Sequence, residues 1–186
     1  MCDPDIGCQL RRNYFGFRLG LTGNAEGAVG EYSQIPVYGG FGLGGNAGVG
    51  GDFALTWRRA DSDSPQDGSF EGWGGNVGYQ LSYSARGSLV HMPYITAEIW
   101  THDARITPYV GVAYTAEQFL NGGDLRHGGR ILIGLLHRPW TSPFQGDHAN
   151  PYWGGQIYIG GEGGDGQGGF VIGLQLEAGM DFFPLF

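Results

Sequence analysis

The stretch from Phe170 to Phe186 alternates. Phe170, Ile172, Leu174, Leu176, Ala178, Met180 and Phe182 share one phase, and Val171, Gly173, Gln175, Glu177, Gly179 and Asp181 share the other. A period of two places successive side chains on opposite faces of a β-strand, here one continuously apolar and one small or polar. The segment is longer than the roughly 5–6 residues of an ordinary strand. It suits a strand that crosses a bilayer, which needs about 9–11 residues.

The same rhythm recurs upstream. Residues 1–12 read as an irregular lead-in, and residues 13–186 as a single β-barrel domain. Strands are predicted at Asn13–Gly23, within Val37–Arg59, and at Trp73–Ser84. Further strands are predicted at Leu89–Thr101 with a break or bulge at Pro93, at Ile106–Phe119, at Arg130–Arg138 and at Tyr152–Gly160, before the closing strand. That makes eight strands, or nine if the Gly-rich span Val37–Arg59 is split. No segment carries a convincing helical period, and no internal repeat exceeds the strand–turn rhythm.

Composition narrows the class. Glycine is extreme at 38 residues but without a collagen-like period, and aromatics at 14% argue against disorder. All ten basic residues are Arg, whereas the wet faces of soluble proteins usually carry Lys. The formal net charge of −8 argues against nucleic acid or anionic headgroups as electrostatic partners. No run approaches the ~18 apolar residues of a membrane helix. The start, Met1-Cys2-Asp3-Pro4-Asp5, lacks the basic and then apolar pattern of a signal peptide, so the expectation is a chain whose signal peptide has been removed. Cys2 and Cys8 leave three readings open: a short disulfide loop, two free thiols, or a lipidated Cys2.

Two features favour lipid over water on the apolar face. The polar face is built of Gly, Ser, Thr, Asn and Gln with occasional charges, which suits the crowded lumen of a small barrel. All five tryptophans, Trp57, Trp73, Trp100, Trp140 and Trp153, fall at the ends of the predicted strands, and Tyr109, Phe119, Tyr152 and Phe170 do likewise. Aromatic rings gather at the two rims of the apolar band in membrane barrels, so these tryptophans are expected to form an aromatic girdle.

The closing strand, with its alternating apolar residues and terminal Phe186, resembles that of bacterial outer-membrane β-barrel proteins. The fold expected is therefore all-β, an antiparallel up-and-down transmembrane β-barrel of eight strands in the bacterial outer membrane. The resemblance implies membrane lipid and the outer-membrane assembly machinery as partners, with Phe186 part of the signal that machinery reads. Envelope proteins would be recognised through the loops. The role expected is structural or accessory, within a larger envelope assembly. The alternatives are an outer-membrane lipid-modifying enzyme, a soluble barrel binding a small apolar ligand, and a narrow porin-like pore.

Candidate chemical sites are few. Gly160-Gly161-Glu162-Gly163-Gly164-Asp165 matches one copy of a calcium nonapeptide whose family needs tandem copies, and reads better as a hairpin loop. Asp61, Asp63 and Asp67-Gly68 miss the EF-hand pattern at Pro65, Gln66 and Gly72. The five histidines, His91, His102, His127, His137 and His148, form no nucleophile–base–orienter pattern. No catalytic, cofactor or metal residue is therefore assigned. The charges of the inward phase form a different set: Arg18, Asp52, Arg58, Glu98, Glu117, Arg130, Glu177 and Asp181. A narrow lumen holds unpaired charge only at high cost, so mixed signs there point to an internal network of ion pairs with a structural role.

Overall fold

The computed structural model describes residues 10–30, 42–62, 70–85, 87–102, 105–120, 125–137, 149–164 and 167–182. Cys2, Cys8, Trp140, His148, Asp63, Asp67, Asp165 and Phe186 lie outside these residues, as do the expectations that rest on them.

Eight antiparallel strands follow one another around a closed barrel. They are β1 (Leu10–Gly30), β2 (Gly42–Ser62), β3 (Phe70–Ser84), β4 (Leu89–His102), β5 (Ile106–Phe119), β6 (Arg126–His137), β7 (Ala149–Gly164) and β8 (Gln167–Phe182). Closure is made by β1 against β8, paired in unbroken register from Phe17↔Phe182 to Gly30↔Gly169. A closed sheet has no free edge, which is one of the two ways a backbone can satisfy its polar groups inside a membrane. The start of β1 and the end of β8 lie at the same rim, called here the terminal rim.

Several expectations need correction. The Gly-rich span Val37–Arg59 takes the first of its two readings: its described residues, 42–59, lie in one strand, β2, paired with β1 over its whole length. Glycine there leaves the ladder intact because the neighbouring strand supplies every partner. At Pro93 the structure shows a break and no bulge: β4 keeps one register against β3, with Tyr79↔Pro93, while its ladder with β5 is interrupted at Met92 and Pro93 and resumes in the same register. β1 begins at Leu10 inside the predicted lead-in, and β7 continues to Gly164 through the run read as a hairpin loop.

The outer face is lipid-like. Leu21 at 72%, Val49 at 68% and Ile99 at 65% exposure belong to a continuous apolar wall that water would penalise heavily. Trp57 and Trp73 meet edge to face at 4.6 Å near the terminal rim, and Trp153 lies outside at the same rim, stacked on His137 at 4.2 Å. Tyr83 and Phe170 are exposed toward the opposite rim.

Trp100 does not belong to that girdle. It points inward and is 6% exposed, and Tyr109, Phe119 and Tyr152 are buried inside with it. Their place near strand ends suggested a rim; their phase puts them in the lumen. Five inward rings each stand directly opposite a glycine on the next strand: Trp100 on Gly72, Tyr94 on Gly78, Tyr109 on Gly134, Tyr158 on Gly173 and Tyr152 on Gly179. A Cβ on Gly72, Gly78, Gly134 or Gly173 would overlap the ring across from it, and one on Gly179 would run into the β1 backbone and meet the Tyr152 hydroxyl at 2.9 Å. The rings lie over bare backbone, and the lumen is filled by aromatics and Leu132 and Leu136 as well as by polar groups.

Candidate functional site

Alternation carries charged side chains from seven of the eight strands into the lumen, where they form two groups at different heights. Toward the terminal rim, Arg18 of β1 donates from Nε to Asp181 Oδ1 at 2.9 Å and places Nη1 3.6 Å from Glu177 Oε2, both on β8. The guanidinium also lies over the Tyr152 ring, 4.5 Å from its centroid. Arg58 Nη2 is 3.8 Å from Glu98 Oε2. Glu98 also accepts from Asn76 Nδ2 at 2.5 Å and from Thr96 Oγ1 at 3.1 Å. Asp52 accepts from the Tyr94 hydroxyl at 2.7 Å. The Tyr109 hydroxyl lies 2.8 Å from Gln156 Oε1 and 3.3 Å from Glu177 Oε1.

The second group lies toward the opposite rim. Arg130 of β6 is ion-paired with Glu162 of β7, and lies 3.4 Å from Glu26 and 3.6 Å from Glu117. Arg126 Nη2 donates to Glu117 Oε1 at 2.6 Å, and its Nη1 is 3.7 Å from Glu162. The Tyr158 hydroxyl donates to Glu26 at 2.9 Å. Carboxylate oxygens of Glu26, Glu117 and Glu162 come within 4.8 Å of one another, the one such convergence among the described residues. Arg130 is ion-paired with all three acids, so a guanidinium already supplies the positive charge among them.

Of the inward-phase charges read from the sequence, Arg18, Glu177 and Asp181 come together, as do Arg58 and Glu98, and Glu117 and Arg130. Asp52 stands apart from these pairs, with a tyrosine hydroxyl as its hydrogen-bond donor. Sequence reasoning missed Glu26, Arg126 and Glu162. Each lay just outside a predicted strand. The signal was present, because Glu26 shares the phase of Arg18 and Thr22, and Glu162 shares that of Tyr152 and Tyr158.

Between the groups sits a cavity of about 50 Å³, lined by Arg18, Asp52, Asn76, Glu98 and Glu177 from one side and Arg130 and Tyr158 from the other. At ~10–15 Å³ for each water centre it has room for about four waters. It does not amount to the open channel of a barrel with many more strands.

The described histidines sit on the outer wall or near the rims. His91 Nε2 is 3.0 Å from Gln118 Oε1, and the rings of His91 and His127 lie 6.1 Å from Tyr79 and Tyr114. These are packing contacts against neighbouring strands.

No family model matches the sequence, and no curated protein does. Among solved structures, the fold is similar to the crystal structure of Neisserial surface protein A, at a TM-score of 0.50 and 14% identity. The match covers 88% of this chain and 96% of that one. At that identity the likeness is one of strand number, pairing and closure, not of side chains. On those grounds the chain has the fold of the small outer-membrane β-barrels.

Proposed function

We propose that this protein resides in the bacterial outer membrane as a closed structural or accessory barrel that recognises envelope partners through its loops. The observation that supports this most directly is the lumen. Ion pairs cross it at two heights, and five aromatic rings fill the space left by glycines on the neighbouring strands. Such an interior rigidifies a barrel and fills much of its lumen among the described residues, so the surfaces left for recognition are the outer wall and the rims.

Fractionation and conductance test the reading together. The protein should float with outer-membrane vesicles, need detergent to stay dispersed and show a heat-modifiable gel shift. Reconstituted into planar bilayers, it should give no stable open-channel steps. Recovery in the aqueous fraction, or large discrete conductance steps, would overturn the proposal. The closing-strand resemblance adds a test of the assembly partner. Deleting Phe186 should lower the folded amount in cells while changing refolding in micelles much less.

A further inference from the structure

The outer wall is not evenly filled. A depression of about 1040 Å³ opens on it across β3, β4, β5 and β6. Ala97 lies within it, and the outward side chains of Trp73, Ile99, Val112 and Ile131 stand around it. On β4 it runs from Ala97 to Thr101, and on β5 from Pro108 to Val112. That length is roughly 13 Å at the rise of an extended strand. The apolar band of a membrane barrel is about 25 Å tall. The depression therefore spans one leaflet, the one at the terminal rim. Its volume matches the upper end of small-molecule sites, which hold about 300–1,000 Å³.

The mouth is an independent feature. Glu71 lines the rim end of the depression and is exposed. It forms no ion pair among the described residues. Asp61 stands opposite it in register and lies 3.6 Å from Arg59. No described cation lines the depression: Arg59 and the rim residue Arg105 both stand outside it. Trp57 and Trp73 pack against each other beside this mouth, and such rings sit at the headgroup level. A carboxylate at headgroup level above an apolar trough complements an amphiphile with a cationic head. The formal net charge of −8 favours the same sign.

We propose that this depression holds an acyl chain of a phospholipid with a primary ammonium head, of the phosphatidylethanolamine class, and that the ammonium pairs with Glu71. The proposal rests on the reading of the barrel as a membrane protein. Bulk lipid wets the whole wall without distinguishing heads; Glu71 makes this one position selective.

Native mass spectrometry of the full-length protein in detergent tests the preference. Phosphatidylethanolamine and phosphatidylglycerol with identical acyl chains are offered in turn. The wild type should bind the first about two- to fivefold more tightly, the size of one exposed ion pair. Glu71→Gln should bring that ratio to about one. Ala97→Leu, which fills the trough, should weaken phosphatidylethanolamine binding and lower the ratio with it. Ala25→Leu, in a separate depression on β1, should keep the ratio. A ratio near one in the wild type, an unchanged ratio in Glu71→Gln, or a second copy of the chain in place of lipid would overturn the site. Should Glu71→Gln not fold, the wild-type ratio and Ala97→Leu decide. Flotation tests the membrane reading separately. A protein that floats with membranes but shows no preference loses this site alone, and one recovered in the aqueous fraction loses both.

Discussion

Tyr158 on β7 stands directly opposite Gly173 on β8, and its ring occupies the volume that a side chain at position 173 would need. Its hydroxyl then reaches across the lumen to Glu26 on β1 at 2.9 Å. One cross-strand pair thus fixes both the wall and the far ionic group. Gly173→Ala should destabilise the barrel by about 1–3 kcal/mol through overpacking. In a Tyr158→Ala background the same change should cost much less, because the overlapping ring is gone. Urea unfolding in micelles of the two single variants and the double variant measures this. Equal costs of Gly173→Ala in both backgrounds would show that the ring does not set the penalty.

The pairing of Arg18 leads to a second cycle. Arg18→Ala removes the guanidinium that faces Asp181 and Glu177 in the lumen and should cost roughly 3–5 kcal/mol. Asp181 is the closer partner, 2.9 Å against 3.6 Å for Glu177. The coupling of Arg18 with Asp181 should therefore exceed its coupling with Glu177 in double-mutant cycles. Additive effects for both pairs would mean that neither contact holds the barrel together.

The far group predicts an asymmetry between acid and base. Three acids, Glu26, Glu117 and Glu162, surround Arg130 and Arg126. Removing one acid charge with Glu26→Gln relieves repulsion between like charges while keeping shape, so its cost should stay under about 1.5 kcal/mol. Arg130→Gln leaves three acids facing one guanidinium and should cost roughly 3–5 kcal/mol. Unfolding midpoints in micelles give both values, and equal costs would contradict the assigned charge balance.

The outer wall gives a depth-dependent test. Leu81 and Leu174 are 43% and 47% exposed on the outer face of β3 and β8. Arg at either position should cost about 2–4 kcal/mol if the residue lies near the bilayer midplane. Gly78→Arg should fail for a different reason, since the Tyr94 ring covers that glycine from within. Refolding into lipid vesicles separates the two. The wall variants should fold better in lipid-free polar micelles than in bilayers, whereas Gly78→Arg should fail in both.

Much of the wall was legible in the sequence. The alternation of Phe170–Phe182 assigned each of those residues of β8 to a face, and Arg18, Asp52 and Glu177 were read as inward charges from phase alone. Strand ends were less legible. Glycine carries no side chain to mark a phase, so β1 and β7 looked shorter than they are, and Glu26 and Glu162 were left in apparent loops. The inward rings were misread for a related reason. Trp100, Tyr109 and Tyr152 sit near strand ends, and position along the strand was given more weight than phase.

Which residues meet across the lumen was decided only by the closed barrel. A period of two is a local property of extended backbone, so the sequence by itself determined the two faces and the apolar wall, while the strand count stayed at eight or nine until the structure gave eight. Register and stagger are properties of closure, shared by all eight strands at once. They bring Arg18 beside Asp181, 163 positions away, and set Tyr158 against both Gly173 and Glu26. No short stretch of the chain holds that information, because each contact depends on the pairing of every strand between its two ends.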